Sequence, residues 1–182
     1  MAAAIEQIMV TKAPGELEEL FRAHHVCVLR AAYRVTGSMA DAEDVAQTVF
    51  LRLARGTIDR DRISNLQSYL HRSAVNAALD LIRSRSHREA LPIETVEELP
   101  SQLSPSPERA HSSLEMKSSL RRELAKLSPR TAEMFTLRYL EGLDNPEIAQ
   151  MMKTTQAVVA VTLHRARARL KKGLSGFRKG AS

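Results

Sequence analysis

Apolar residues recur every three to four positions along most of the chain, and sustained apolar/polar alternation is missing, so the pattern predicts an all-α protein. Leu17, Leu20, Phe21, His24, Val28, Ala31 and Val35 share one stripe of a long first helix that Gly37 can terminate. Ser38 followed by Asp41 restarts the chain as a capping pair. The second helix turns Val45, Ala46, Val49, Phe50 and Leu53 inward and stops near Gly56. After a polar loop from Thr57 to Ser64, a third helix from about Asn65 to Ser86 carries Leu66, Tyr69, Leu70, Ala74, Ala77, Leu81 and Ile82 on its apolar side. These three can bury one another in a small bundle.

Beyond residue 88 the composition changes. Pro92, Pro100, Pro105 and Pro107 fall among Glu89, Glu94, Glu97, Glu98 and several serines, which reads as an acidic, helix-poor linker over 89–112. The expected organisation is therefore two small helical domains, 16–88 and 113–175, on a tether. The second domain opens with a helix through Leu114, Leu120, Leu124 and Leu127. A helix capped by Ser128-Pro129 follows, through Met134, Phe135 and Leu137 to Tyr139, and Glu141-Gly142 breaks it.

The stretch from Asn145 to Arg169 carries the most information. Asp144, Pro146 and Glu147 form a start signal for a short helix with Ile148, Ala149 and Met152 as its apolar stripe. Thr155 can cap a second helix in which Val159, Leu163, Ala166 and Leu170 share one buried face, so Arg165, Arg167, Arg169 and Lys171 project elsewhere. Two short helices with basic residues at the exit of the second match a helix-turn-helix. Thr155, Gln156, Ala157 and Ala160 are then placed to meet base edges, and the arginines to neutralise phosphates. A merely solvated basic face is the competing reading of the same arginines.

Composition adds limits. The net charge of +6 favours a polyanionic partner without proving one. Aromatics make up 4% of the chain and Trp is absent, so the cores are aliphatic. The single cysteine, Cys27, excludes an internal disulfide framework and is expected to be a buried, inert thiol. His24 and His25 are adjacent and point about 100° apart on a helix, so they do not chelate a metal together. No Gly-rich phosphate loop, nucleophile elbow or His-Glu metal motif occurs, so the reading is a non-enzyme with no cofactor and no metal. No run approaches the ~20 apolar residues of a membrane span, and the expected location is cytoplasmic, without membrane contact.

The third helix also bears chemistry. Arg72, Asn76 and Arg83 share a face, with Asp80 between them and Arg85 counted on the same polar side, a pattern that either tracks a nucleic-acid strand or is simply solvated. The second helix places Asp41, Glu43 and Asp44 near its start, expected exposed, where the helix dipole favours acids.

Taken together, ADAEDVAQTVFLRLAR, LQSYLHRSAVNAALDLIRSR, the Pro-rich linker and LSPRTAEMFTLRYLEGLDNPEIAQMM followed by LHRARARL resemble the extracytoplasmic-function sigma factors of bacterial RNA polymerase. The resemblance covers about residues 16–88 and 114–172. It implies a subunit that binds core RNA polymerase and directs it to particular promoters, with an anti-sigma factor as a further partner. By that resemblance Asp41, Asp44, Gln47, Phe50 and Arg52 contact the polymerase clamp helices. Arg72, Asn76, Asp80 and Arg83, with the loop Thr57–Ser64, hold the opened minus-ten strand. Thr155, Gln156, Ala157, Ala160, His164, Arg165 and Arg167 meet the minus-thirty-five duplex. The chain departs from the family pattern at Thr48, Ala54 and Tyr69, and at Lys153, which stands in the turn where glycine is usual. Ala160, Val161 and Thr162 also depart from it and leave the middle of the recognition helix unusually apolar. A stand-alone helix-turn-helix regulator that uses the first bundle to dimerise is the alternative reading, and a protein-only interaction module is a third.

Overall fold

The computed structural model describes residues 14–55, 65–89 and 107–179. The loop Thr57–Ser64 and the central part of the expected linker lie outside the described residues. Among the described residues the elements are α1 (Pro14–Thr36), α2 (Met39–Ala54), α3 (Leu66–Glu89), α4 (Pro107–Ala125), α5 (Pro129–Tyr139), α6 (Asn145–Met151) and α7 (Gln156–Lys179). All are α-helices, as the periodicity requires. No described helix is long and apolar enough to cross a membrane.

The boundaries follow local chemistry. α1, α4 and α5 each begin at a proline, whose missing N–H is no loss in the first turn and whose φ is already helical. This corrects the expected helix-poor linker, because Pro107 opens α4 and residues 107–112 are helical. α1 ends where Gly37 takes φ +69° and donates its N–H to Tyr33 at 2.7 Å. Ser38 then accepts from the Asp41 N–H at 3.3 Å and starts α2. Ser128 sits at the cap position of α5, but its hydroxyl donates to the Thr131 hydroxyl and accepts no backbone N–H.

α1, α2 and α3 pack together as expected, through Val28, Ala31, Val35, Val45, Ala46, Val49, Phe50, Leu53, Leu70 and Ala74, all buried. Phe21 departs from the expected stripe and is 43% exposed, its ring edge-on to Phe50 with centroids 4.8 Å apart. Cys27 is half-buried instead of buried.

The larger correction concerns α3. Val75, Ala78 and Leu79, absent from the expected apolar side, are fully buried along with Leu70, Ala74 and Ile82. At about 100° per residue these positions cover roughly half the helix circumference. The reason is a second packing surface, since α3 lies against α4 and α5 as well as α1 and α2. The two halves thus share a continuous core around α3. In the second half, Leu124, Met134, Leu137, Ile148, Val159, Leu163, Ala166 and Leu170 fill the space between α4, α5, α6 and α7.

Candidate nucleic-acid interface

The helix-turn-helix is built from short-range signals. Asp144 caps α6 by accepting from the Glu147 N–H at 2.8 Å, and Glu147 returns the bond to the Asp144 N–H at 2.7 Å, a complete capping box. Ile148, Ala149 and Met152 are buried beneath it. The turn passes through Lys153 at φ +49°, the left-handed region that a side chain enters at a cost of about 1 kcal/mol. Thr155 restarts the helix by accepting from the Val158 N–H at 3.3 Å. The strain at Lys153 leads to a specific expectation. Lys153→Gly removes it but adds unfolded-state entropy, so a net gain of about 0.5 kcal/mol is expected, read as a higher urea midpoint at unchanged slope.

α7 separates its faces cleanly. Val159, Leu163, Ala166 and Leu170 are buried, whereas Thr155, Gln156, Ala157, Ala160, His164, Arg165 and Arg167 are all exposed. Successive rotations of about 100° put Ala157, Val161 and Ala168 at the centre of the outward face. Arg165 and Arg169 then flank it on one side, Arg167 and Lys171 on the other. An apolar ridge bordered by cations suits a groove with two phosphate walls and thymine methyls at its floor. Val161, at the centre of that face, is 50% exposed and so available to that floor, while Val158, 45% exposed, lies on the Arg165 flank.

The residues on α3 are arranged differently from the single open face expected. Arg72 pairs through its Nε with Glu133 of α5, and its Nη1 donates to the Met151 carbonyl at 3.3 Å. Asn76 Nδ2 donates to the same Glu133 carboxylate at 3.0 Å. Further along, Arg83 donates to Asp80 at 3.0 Å, with Asp80 well exposed and Arg83 mostly covered. Arg85 points to the other side of the helix and forms two hydrogen bonds, each 2.5 Å, to the Asp41 carboxylate of α2. That pair corrects two expectations together. Arg85 does not join the Arg72 face, and Asp41 is buried, with 5% exposure, while Glu43 and Asp44 are exposed as foreseen.

Elsewhere on α2, Gln47 and Arg52 are exposed and Phe50 is buried against Phe21. Leu17, Glu18 and Phe21 of α1 line a groove of 520 Å³ with Gln47, Phe50, Leu51 and Ala54 of α2. Its walls are mainly apolar, and Leu51 is 53% exposed.

Sequence reading missed the carboxylates between the halves. Glu141 accepts from Arg34 of α1 and from His71 of α3, each at 2.8 Å. Burial pushes its pKa up, but the His71 and Arg34 contacts outweigh that and hold it below the usual glutamate value. Arg121 of α4 donates through Nε to the Val35 carbonyl at 3.0 Å. No local pattern marks Glu133 or Glu141, because their partners lie at least 57 residues away in sequence.

Comparison with known proteins agrees with this architecture. A model of sigma-70 region 2 matches residues 20–88, and one of sigma-70 region 4 matches 117–170. The ferric citrate uptake sigma factor FecI of Escherichia coli is 34% identical over 143 residues, which cover 78% of this chain and 81% of FecI. The ECF RNA polymerase sigma factor SigE of Mycolicibacterium smegmatis is 32% identical over 85% of this chain, and the match spans 60% of SigE. The structure of CnrH in complex with the cytosolic domain of CnrY superposes with a TM-score of 0.51 at 23% identity, covering 94% of each chain, a likeness of fold.

Proposed function

The chain belongs to the extracytoplasmic-function sigma factors of RNA polymerase, and from that premise we propose that it binds core polymerase through α2 and carries it to promoters read by α3 and α7. The observation that supports this best is the outward face of α7, where all seven residues expected at duplex DNA are exposed on a helix fixed by its own cap. Residues 113–175 read the minus-thirty-five duplex, with Thr155, Gln156, Ala157, Ala160 and His164 towards the bases and Arg165 and Arg167 towards phosphates. Residues 16–88 take the polymerase and the opened minus-ten strand, through Arg72, Asn76, Asp80 and Arg83 of α3. RNA synthesis itself is polymerase chemistry. This chain contributes binding and position, and it works in the cytoplasm with the polymerase.

On α2, Asp44, Gln47 and Arg52 offer polar contacts beside the groove lined by Phe21, Phe50 and Leu51. Asp41 acts indirectly in this reading, by fixing α2 to α3 through Arg85. The same groove suits an apolar helix of an anti-sigma factor, which would then exclude polymerase by competition.

Co-migration with core polymerase on a sizing column tests the proposal. The double variant Asp44→Ala/Gln47→Ala removes two exposed polar groups, and its affinity for core is expected to fall about tenfold with unchanged thermal stability. A wild-type chain that never shifts the core, yet binds duplex DNA tightly alone as a dimer, would identify a stand-alone regulator instead.

A further inference from the structure

The outward face of α7 lacks the side chains that most base recognition uses. At about 100° per residue Ala157, Val161, His164 and Ala168 lie outermost, opposite the buried Val159, Leu163, Ala166 and Leu170. Guanine is commonly read by Arg or Lys, and adenine by Asn or Gln. On this helix Arg165, Arg167, Arg169 and Lys171 stand to the flanks, and Gln156 lies on the Arg167 flank in the first turn. The outermost strip therefore holds no arginine, lysine or amide, and His164 is its only polar member. One exposed apolar residue needs no explanation. Here Ala157, Val158, Ala160 and Val161 are all exposed, so the first turns of the helix present methyl groups where polar residues would be better solvated. The major groove offers one match to such a surface, the C5-methyl of thymine, which is the one methyl that unmodified base pairs display there.

We infer that Val161, with Ala157 one turn before it, is a specificity-determining residue that recognises thymine by its C5-methyl group, at the base pairs of the minus-thirty-five element that face the middle of α7. The inference deepens the reading of α7 as the helix in the duplex and rests on it. A valine side chain has no hydrogen-bond donor or acceptor, so it registers the methyl and is indifferent to the O4 or N4 group beside it. The consequence is a particular order of preference. Thymine and 5-methylcytosine are accepted alike, and both stand above uracil and cytosine, which lack the methyl. Recognition through the shape of an A·T-rich segment gives a different order, because uracil keeps the pair with adenine and 5-methylcytosine does not.

Holoenzyme titrated onto a fluorescein-labelled duplex tests the inference, the duplex being the promoter mapped by sequencing transcripts after overproduction. Each thymine of the minus-thirty-five element, on either strand, is replaced in turn by uracil, cytosine or 5-methylcytosine, the last two with guanine opposite. At one or two thymines, uracil and cytosine are expected to weaken binding about fourfold, the value of one buried methyl, and 5-methylcytosine to restore it. Val161→Ala exchanges a half-exposed valine for a better helix former, so the helix is kept. This variant should bind the thymine and uracil duplexes equally, both about fourfold more weakly than the wild-type chain binds thymine. A mapped element without thymine, an unaltered affinity for every uracil duplex, an order that groups uracil with thymine, or a uracil effect that survives Val161→Ala overturns the inference. In each of these cases the salt slope of Arg165→Ala/Arg167→Ala, which depends on phosphates alone, separately decides whether α7 sits on the duplex.

Discussion

Arg85→Ala is expected to destabilise the protein by about 3 kcal/mol, near the lower end of the cost of removing one partner from a buried ion pair. The lower end applies because the Arg85 side chain is itself 50% exposed while that of Asp41 is 7% exposed. Without the guanidinium, Asp41 keeps a buried carboxylate that has lost both of its 2.5 Å bonds. The reverse truncation, Asp41→Ala, should cost less, about 1–2 kcal/mol, since a half-exposed arginine can recover hydration. Urea unfolding of the two variants measures the asymmetry. Equal losses, or no loss for Arg85→Ala, would mean that the pair does not hold α2 to α3. The outcome also bears on polymerase docking. If Asp41 works by positioning α2, its variants should lose core affinity in step with stability, whereas Asp44→Ala/Gln47→Ala should lose affinity alone.

Arg165→Ala/Arg167→Ala is the second large effect. Each neutralised phosphate contributes about 0.9 to the slope of log affinity against log salt, so at about 0.15 M salt each contact is worth about fivefold and the pair about 30-fold. Both side chains are exposed and project to opposite flanks of the outward face of α7, so in the proposed reading each would meet a different phosphate wall of the groove. Holoenzyme titrated onto a duplex promoter fragment across a potassium chloride series should show the loss together with a slope reduced by about 1.8. The promoter would first be mapped by sequencing transcripts after overproduction. A preserved slope would mean that these arginines are only solvated, the competing interpretation of the charge series.

The features legible in the sequence are those whose partners are close along the chain. The Asp144–Glu147 capping box, the Thr155 cap and the buried series Val159, Leu163, Ala166 and Leu170 all depend on groups three or four residues apart, and each lies where the pattern places it. The strained turn at Lys153 was expected only through the resemblance, because glycine is usual at that position in the family, and the φ of +49° agrees. Phe21 shows the limit of such reasoning. Helical spacing put it on the buried stripe, yet its burial depends on how far α2 extends past it, and it ends at the rim of a groove.

The linker was misread at its far end for a related reason. Proline and serine content argues against helix as an average, whereas one proline at the first position begins a helix, as Pro107 does. Which of these wins depends on whether the following residues find a surface, and α4 finds α3 and α7.

By itself, then, the order of residues determined the helices, their caps and the exposed cationic face of α7, because hydrogen bonds and periodic burial within a helix act over a few residues. Only the tertiary structure decided that Asp41 belongs to Arg85, that α3 is buried along two surfaces, and that Glu133 and Glu141 occupy Arg72, Asn76, His71 and Arg34. Those pairings join residues 44 to 107 positions apart. They arise from the packing of whole helices, where the position of a charge is set by the neighbour that the shared core brings to it.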